Sequence, residues 1–361
     1  MSGTMPARPY PGTPLWYAPE VASAGNPTGP DSVLDAPPFT PSARSRPTMR
    51  CTLPFPITFV LSLWVMVGCA PRHPGFEIAG DGGCAPLEWA VSPRPAPLPP
   101  LDHAAMLLRV TVPGVPAHKP LYLQLDLGHT TTLLHADAWA SIAARVPGAD
   151  PRHARGVKLA LGSITLDVRE LPLRASRGRG IAWNDSTPVV IGTLGSDVLA
   201  GRTLVLDLRA DSVSLTRSRA SVLRTHTPLQ PYREQLGRIV LPARLEGRDL
   251  HVMYDSGTSA FAWVTDDRTW RRLAKPGAVV QKFPVNSWGR PLPVHVTATD
   301  ASVRIAGRTF ALGDVTRFEG VGWLQDLGVR MLGVNALMGN RLFLGHRVVI
   351  DANAHEFGLD D

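Results

Sequence analysis

Two stretches of this chain repeat one another, and their repetition constrains the fold more than any other feature. Residues 121–134 read LYLQLDLGHTTTLL and residues 251–264 read HVMYDSGTSAFAWV. In each, a short apolar run delivers a carboxylate to an Asp-x-Gly turn and a second apolar run leaves it. The two aspartates, Asp126 and Asp255, stand 129 residues apart (255 less 126). Behind each comes an element rich in Trp with Ala or Arg: residues 135–145 (HADAWASIAAR), with apolar positions at helical spacing, and residues 266–273 (DDRTWRRL). Next is a pair of strand-like runs about a glycine, VKLALGSITL at 157–166 and VRIAGRTFAL at 303–312. Each copy closes with an apolar turn ending in Gly and further strand runs, in residues 193–215 and 331–359. Four features in the same order predict a duplicated β unit, an all-β body of two lobes with short helices.

The rest of the composition agrees. Short Val-, Leu- and Ile-rich runs bounded by Gly, Pro and Asp read as strands. The chain has 361 residues, of which 44% are apolar and 19% charged, enough for about two packed domains. The net charge of +7 is carried almost entirely by Arg, with Lys only at 119, 158, 275 and 282. These cations do not cluster with aromatics, so the charge reads as a solvated surface and no nucleic-acid partner is expected. There is no Walker loop, no Gly-x-Ser-x-Gly elbow and no His-Glu-x-x-His, and the eleven histidines show no metal spacing. Asp207 and Asp351 recur in the closing strands (LVLDL, VVID) and read as turn partners.

The N-terminal part divides in three. Residues 1–48 are rich in Pro, Ser and Gly without apolar periodicity, which predicts disorder or an untranslated leader. Residues 49–69 have the layout of a secretory signal: Met49, a positive charge at Arg50, an apolar run over 53–68, then small residues and Cys69. Met66-Val67-Gly68-Cys69 resembles a bacterial lipoprotein box, in which the Cys69 thiol carries the lipid; a plain signal peptide or membrane anchor is the alternative. Residues 70–103, with SPRPAPLPP at 92–100, predict an extended tether. Two lobes then follow, 104–220 and 236–361, joined by a linker over 221–235. The three cysteines are Cys51, Cys69 and Cys84, so residues 101–361 have no disulfide and no thiolate metal site.

The residue types at Asp255-Ser256-Gly257-Thr258 suit acid–base chemistry on a bound water. A carboxylate can hold a water and exchange protons with it. The Ser256 hydroxyl can fix the turn, Gly257 permits close approach because it lacks a Cβ, and Thr258 can hydrogen-bond the carboxylate. With the second Asp-x-Gly turn and the late Leu332-Gly333 followed by RVVIDANAHEFGL, residues 104–359 resemble the pepsin/retropepsin superfamily of aspartic peptidases, in a single-chain, two-lobe form found among bacterial exported proteins. The resemblance implies an acid-protease-like fold in which Asp126 and Asp255 form a catalytic dyad supported by Gly128, Ser256, Gly257 and Thr258, with the apolar Leu332-Gly333 element packed beside the catalytic turn. Such a pair shares one proton because adjacent like charges cannot both ionise. One member is general base to water and the other general acid to the carbonyl oxygen. The implied mechanism needs no metal and no cofactor, and the implied partner is a peptide or protein substrate.

Two positions depart from the family pattern. Leu127 replaces the hydroxyl residue that bonds across to the other lobe, and His129 stands where a small or hydroxyl residue is usual. The spacing from Asp126 to Gly162, 36 residues, is 16 shorter than the 52 from Asp255 to Gly307, which removes from lobe one the length a flap hairpin needs. Lobe two has a candidate flap in residues 281–296, with Ser287, Trp288 and Gly289 at its tip; the basic loop 174–183 is the alternative. Three readings follow: an exported aspartic-type peptidase, a pseudo-peptidase that binds peptide or protein in the inter-lobe cleft without cutting, and a structural lipoprotein of the cell envelope.

Overall fold

The computed structural model describes residues 74–175, 180–224, 227–287, 290–320 and 333–360. The leader 1–48, the signal segment with Cys51 and Cys69, the hairpin tip at Trp288 and Gly289, and Leu332 lie outside the described residues. The architecture is all-β in two lobes, with two helices among the described residues, Ala136–Ala143 and Asp267–Leu273.

The internal repeat reappears as one strand path used twice. In lobe one, Val189–Leu194 runs between the two strands that flank the first Asp turn, parallel to Leu121–Leu125 and antiparallel to Leu133–His135. In lobe two, Ala336–Met338 occupies the same place, parallel to Arg248–Tyr254 and antiparallel to Trp263–Thr265. A strand that arrives late in sequence is thus inserted between two early ones, leaving the Asp turn at its open end. Each helix follows directly and buries its tryptophan, Trp139 or Trp270, against the sheet. The paired runs about glycine form the hairpins Val157–Leu161/Ile164–Val168 and Ser302–Ile305/Arg308–Ala311. They turn at Gly162 (φ 57°) and Gly307 (φ 76°), a left-handed conformation that favours glycine.

The lobes share a sheet. Thr203–Asp207 pairs antiparallel with Ser212–Thr216 of its own lobe and with Arg347–Asp351 of the other. Leu204, Leu206, Val348 and Ile350 from these strands lie in the core, which runs from one lobe into the other. Asp207 and Asp351 act as turn residues: Oδ1 of Asp207 accepts from the Arg209 and Ala210 amides, and Oδ1 of Asp351 from those of Asn353 and Ala354.

The tether expected over 70–103 is corrected. Phe76–Ile78 pairs with Ile164–Val168, and Gly82–Ser92 is a long strand bound to Ser212–Thr216 through its first half and to Leu101–Val110 through its second. Ala85, Leu87 and Ala90 are buried. The strand enters the fold because it carries apolar residues that a tether would leave in water. Within the expected tether, the turn 79–81 and the Pro-rich stretch 93–100 connect strands without joining a sheet. The linker expected at 221–235 is also partly strand, since Leu229–Pro231 and Arg233–Gln235 pair with strands of lobe two.

Candidate active site

Each Asp turn is hung from its inserted strand by an equivalent bond. The Asp126 amide donates to Leu194 O (3.0 Å) and the Asp255 amide to Met338 O (2.9 Å). Each carboxylate is then held by the amides of its own turn. Asp126 Oδ1 accepts from the Gly128 and His129 amides at 3.0 and 3.2 Å, and Asp255 Oδ1 accepts from the Gly257 amide at 2.9 Å.

The two turns meet across the lobes, glycine against carboxylate. A Cβ on Gly128 would lie 2.2 Å from Asp255 Oδ1, and a Cβ on Gly257 would lie 2.5 Å from the Asp126 carboxyl carbon. No side chain fits either place, so the missing Cβ at each turn is what lets the other lobe's carboxylate approach. Asp126 is buried. Burial raises its pKa from 3.8 to about 7; the Asp255 charge and a hydrogen bond with the Asp255 side chain push the same way, and the His129 and Gly128 amides oppose them. Each carboxyl thus lies directly against the turn that carries the other.

Ser256 crosses the interface. Its Oγ accepts from the Leu127 amide (2.8 Å) and donates to Leu125 O (3.1 Å). The reciprocal bond is missing, because Leu127 has no hydroxyl and its side chain is fully buried in the core. The His129 ring turns back into its own loop, with Nδ1 2.7 Å from Thr131 O, and His129 acts on Asp126 through its backbone amide. Thr258 does not bond the Asp255 carboxylate as its position suggested: its amide donates to Asp255 O, and its Oγ1 is buried with no hydrogen-bond partner among the described residues.

A second ring of polar groups supports both turns. In lobe one, the Thr132 amide and hydroxyl donate to Asp197 at 2.8 and 2.6 Å, and Thr132 Oγ1 accepts from the Gly195 amide. Burial raises the Asp197 pKa against the Thr132 bonds and the His129 charge. In lobe two, the Tyr254 hydroxyl donates to Asn340 Oδ1, Asn340 Nδ2 donates to Ser259 Oγ (2.6 Å), and Ser259 Oγ donates to Ser256 O (2.6 Å). Sequence reasoning missed Thr132, Asp197, Tyr254, Ser259 and Asn340. Their signal was small polar residues within apolar runs, where a buried polar group requires a partner.

The glycine beside the second turn is also corrected. Leu332-Gly333 was expected there, but Gly339 fills the place: a Cβ on it would lie 2.2 Å from Thr258 O, just as one on Gly195 would lie 2.7 Å from the Thr131 carbonyl carbon. Gly333 has open space around it.

The candidate flap is a hairpin. Gln281–Ser287 pairs with Arg290–Ala298 in a register that sets Ser287 opposite Arg290. The hairpin attaches through Asp314–Phe318, which runs parallel to Trp263–Thr265. The equivalent lobe-one strand, Leu173–Arg174, runs parallel to Leu133–His135 and ends its sheet, among the described residues. The alternative flap, the loop 174–183, is anchored at its far end. Ile181 is buried, Trp183 lies under the Arg145 guanidinium at 4.6 Å, and the adjoining Asp185 binds the buried Lys119 at 2.6 Å. Residues 176–179 of that loop lie outside the described residues.

Among the described residues, no three His, Cys, Asp or Glu side chains gather into a group that could hold a metal ion. No helix among them is long and apolar enough to cross a membrane. Cys84 is a free, exposed thiol beside the Ser163 hydroxyl. No family model matches the chain and no curated protein matches it. Among solved structures, the chain is similar to the crystal structure of an aspartic proteinase from Irpex lacteus, with 12% identity and a TM-score of 0.41 over 78% of this chain and 97% of that one.

Proposed function

We propose that this chain is an aspartic-type peptidase in which Asp126 and Asp255 share one proton and activate a water. The observation that carries this reading is the reciprocal packing of each carboxylate on the other lobe's turn glycine, joined to the raised pKa of Asp126. Two ionised carboxylates on turns packed against one another repel, so the pair holds one proton up to about pH 7. The ionised member takes a proton from water as the water oxygen attacks the substrate carbonyl carbon. The protonated member gives its proton to the carbonyl oxygen, forming a neutral tetrahedral diol. The member that took the water proton then gives it to the amide nitrogen while the other takes a proton from a diol hydroxyl, so the C–N bond breaks, the carbonyl reforms and the pair regains its single shared proton. The hairpin 281–298 is the element read as covering a bound peptide.

The test is digestion of a mixed peptide pool by the intact protein from acidic to neutral pH. Cleavage should fall by about a thousandfold or more in Asp126→Asn and in Asp255→Asn alike. Cleavage that survives both substitutions would assign the chemistry elsewhere. The pseudo-peptidase reading is favoured by one pair of observations, the one-sided Ser256 grip and the unpartnered Thr258 hydroxyl. It requires peptides that bind and remain intact at every pH. Export belongs to the same proposal: residues 49–69 are read as a signal ending at Cys69, with the body held at the cell envelope. Mass spectrometry of the mature N-terminus tests this. A lipid-modified Cys69 supports a lipoprotein, and an unmodified N-terminus elsewhere removes the anchor.

A further inference from the structure

The base of the lobe-two hairpin is gripped by a loop of lobe one. The Pro-rich connection 93–100 sends Arg94 and Leu98 across. Arg94 Nη1 donates to Oε1 of Gln281, the first residue of the hairpin (3.2 Å), and the guanidinium lies 5.0 Å above the centre of the Phe283 ring. Leu98 packs with Leu101 on an apolar cluster that contains Phe261, Val264, Phe283 and Val294. Phe261 and Val264 belong to the run that leaves the Asp255 turn, so the cluster joins the loop, the hairpin and that turn.

Beside this cluster stands a carboxylate that the proposed chemistry does not use. Asp314 opens the strand that carries the hairpin and lies opposite Ala298. Its Oδ2 accepts from Arg341 Nη1 at 2.8 Å, while its Oδ1 is buried with no hydrogen-bond partner among the described residues. Arg341 and Arg94 are the cations whose charge acts on it, against the burial that raises its pKa. Arg341 is itself fixed to the Asp255 turn, because its amide donates to Ser259 O. The charge of Asp102, in the lobe-one strand after the loop, also acts on Arg94. A largely buried carboxylate with an unfilled oxygen is costly, and an apolar residue there would pack without that cost.

We propose that two contacts bolt the base of the hairpin: the Asp314–Arg341 ion pair fixes it to the Asp255 turn, and Arg94, on Gln281 and the Phe283 ring, fixes it to the lobe-one loop. Arg94 and Asp314 are then positioning residues for the hairpin. The consequence for substrate rests on the reading of that hairpin as the cover of the site; the bolt itself does not.

Hydrogen exchange on the intact protein tests the bolt without requiring turnover. In Arg94→Ala and in Asp314→Asn, amides of residues 281–298 should exchange about tenfold faster, while those of the lobe-one hairpin 157–168 keep their rates. Arg94→Lys, which keeps the charge but loses the planar stack, should fall between wild type and Arg94→Ala. If peptides are cleaved, Arg94→Ala should raise KM and leave kcat within about twofold. Unchanged exchange over 281–298 in folded Arg94→Ala would overturn the proposal. So would an increase spread equally over both lobes, which marks a general loss of stability. Absent cleavage together with faster hairpin exchange would reject the peptidase reading and leave the bolt standing.

Discussion

The two lobes follow the same strand path to the same Asp turn, yet they hold it differently. Lobe two contributes the hydroxyl of Ser256 to the interface, and lobe one answers with the buried side chain of Leu127. Lobe two carries a hairpin beyond its last parallel strand, and lobe one ends its described sheet at Leu173–Arg174. Lobe two braces its turn through a Tyr254–Asn340–Ser259 relay, lobe one through Thr132 and Asp197. What both lobes keep is the aspartate, the turn glycine opposite the other carboxylate, and the glycine at the end of the inserted strand. The comparison separates what the carboxylate pair demands of the backbone from what any adequate side chain can provide.

The largest effect is expected where the asymmetry concentrates a shared task in one residue. Ser256→Ala leaves the buried Leu127 amide and Leu125 carbonyl both without a partner, and should cost about 2–5 kcal/mol in urea unfolding. An equally large loss in Leu127→Ala would not sharpen this, since that change opens a cavity; the informative result is a Ser256→Ala loss under about 1 kcal/mol, which would show that the interface does not depend on the crossing hydroxyl. Next in size are the residues the lobes share. Gly128→Ala and Gly257→Ala each force a methyl into the opposite carboxylate and should each cost about 1–3 kcal/mol. Similar losses would confirm the pseudo-symmetry of the pair, and a harmless Gly128→Ala would break it.

The third effect is a pH dependence. Below pH 3.8 Asp126 is protonated in folded and unfolded chains alike. Between there and its folded pKa of about 7 the unfolded chain releases a proton that the folded chain keeps, so stability declines as pH rises across this window and is level above it. Asp126→Asn should flatten that decline in thermal melts taken from pH 4 to pH 8, and should gain on wild type at the alkaline end. The smallest effect is expected for Leu127→Thr, where lost apolar burial is offset by one new inter-lobe hydrogen bond and the net change stays within about 1 kcal/mol. If cleavage is measurable, Leu127→Thr should raise it, and adding His129→Ser should add nothing because the His129 ring already faces Thr131.

Much of this was legible in the sequence because the repeat is carried by apolar runs and turn glycines, whose consequences are local. The two aspartates, the hairpin turns at Gly162 and Gly307, and the extra length in lobe two could all be read from spacing. The strand Gly82–Ser92 was hidden by its Gly and Pro residues and by the Pro-rich stretch after it, which together imitate a tether; its pairing partners lie far along the chain. Gly339 was confused with Gly333 because two apolar-apolar-Gly turns follow one another, and only packing against Thr258 distinguishes them. Asp197 and Asn340 were not legible, since their importance comes from bonds to residues 65 and 81 positions away.

The proposed chemistry requires two carboxyls that share one proton, and a carboxyl carbon-13 NMR titration of the intact protein measures that directly. The expected result is one aspartate that remains protonated to about pH 7, well above the ordinary carboxylate range. In Asp255→Asn the Asp126 resonance should titrate at lower pH, because the neighbouring charge is gone, while staying above the ordinary range, because burial, the larger cause, remains. A spectrum in which every aspartate titrates near pH 4, unchanged by Asp255→Asn, would contradict the shared proton.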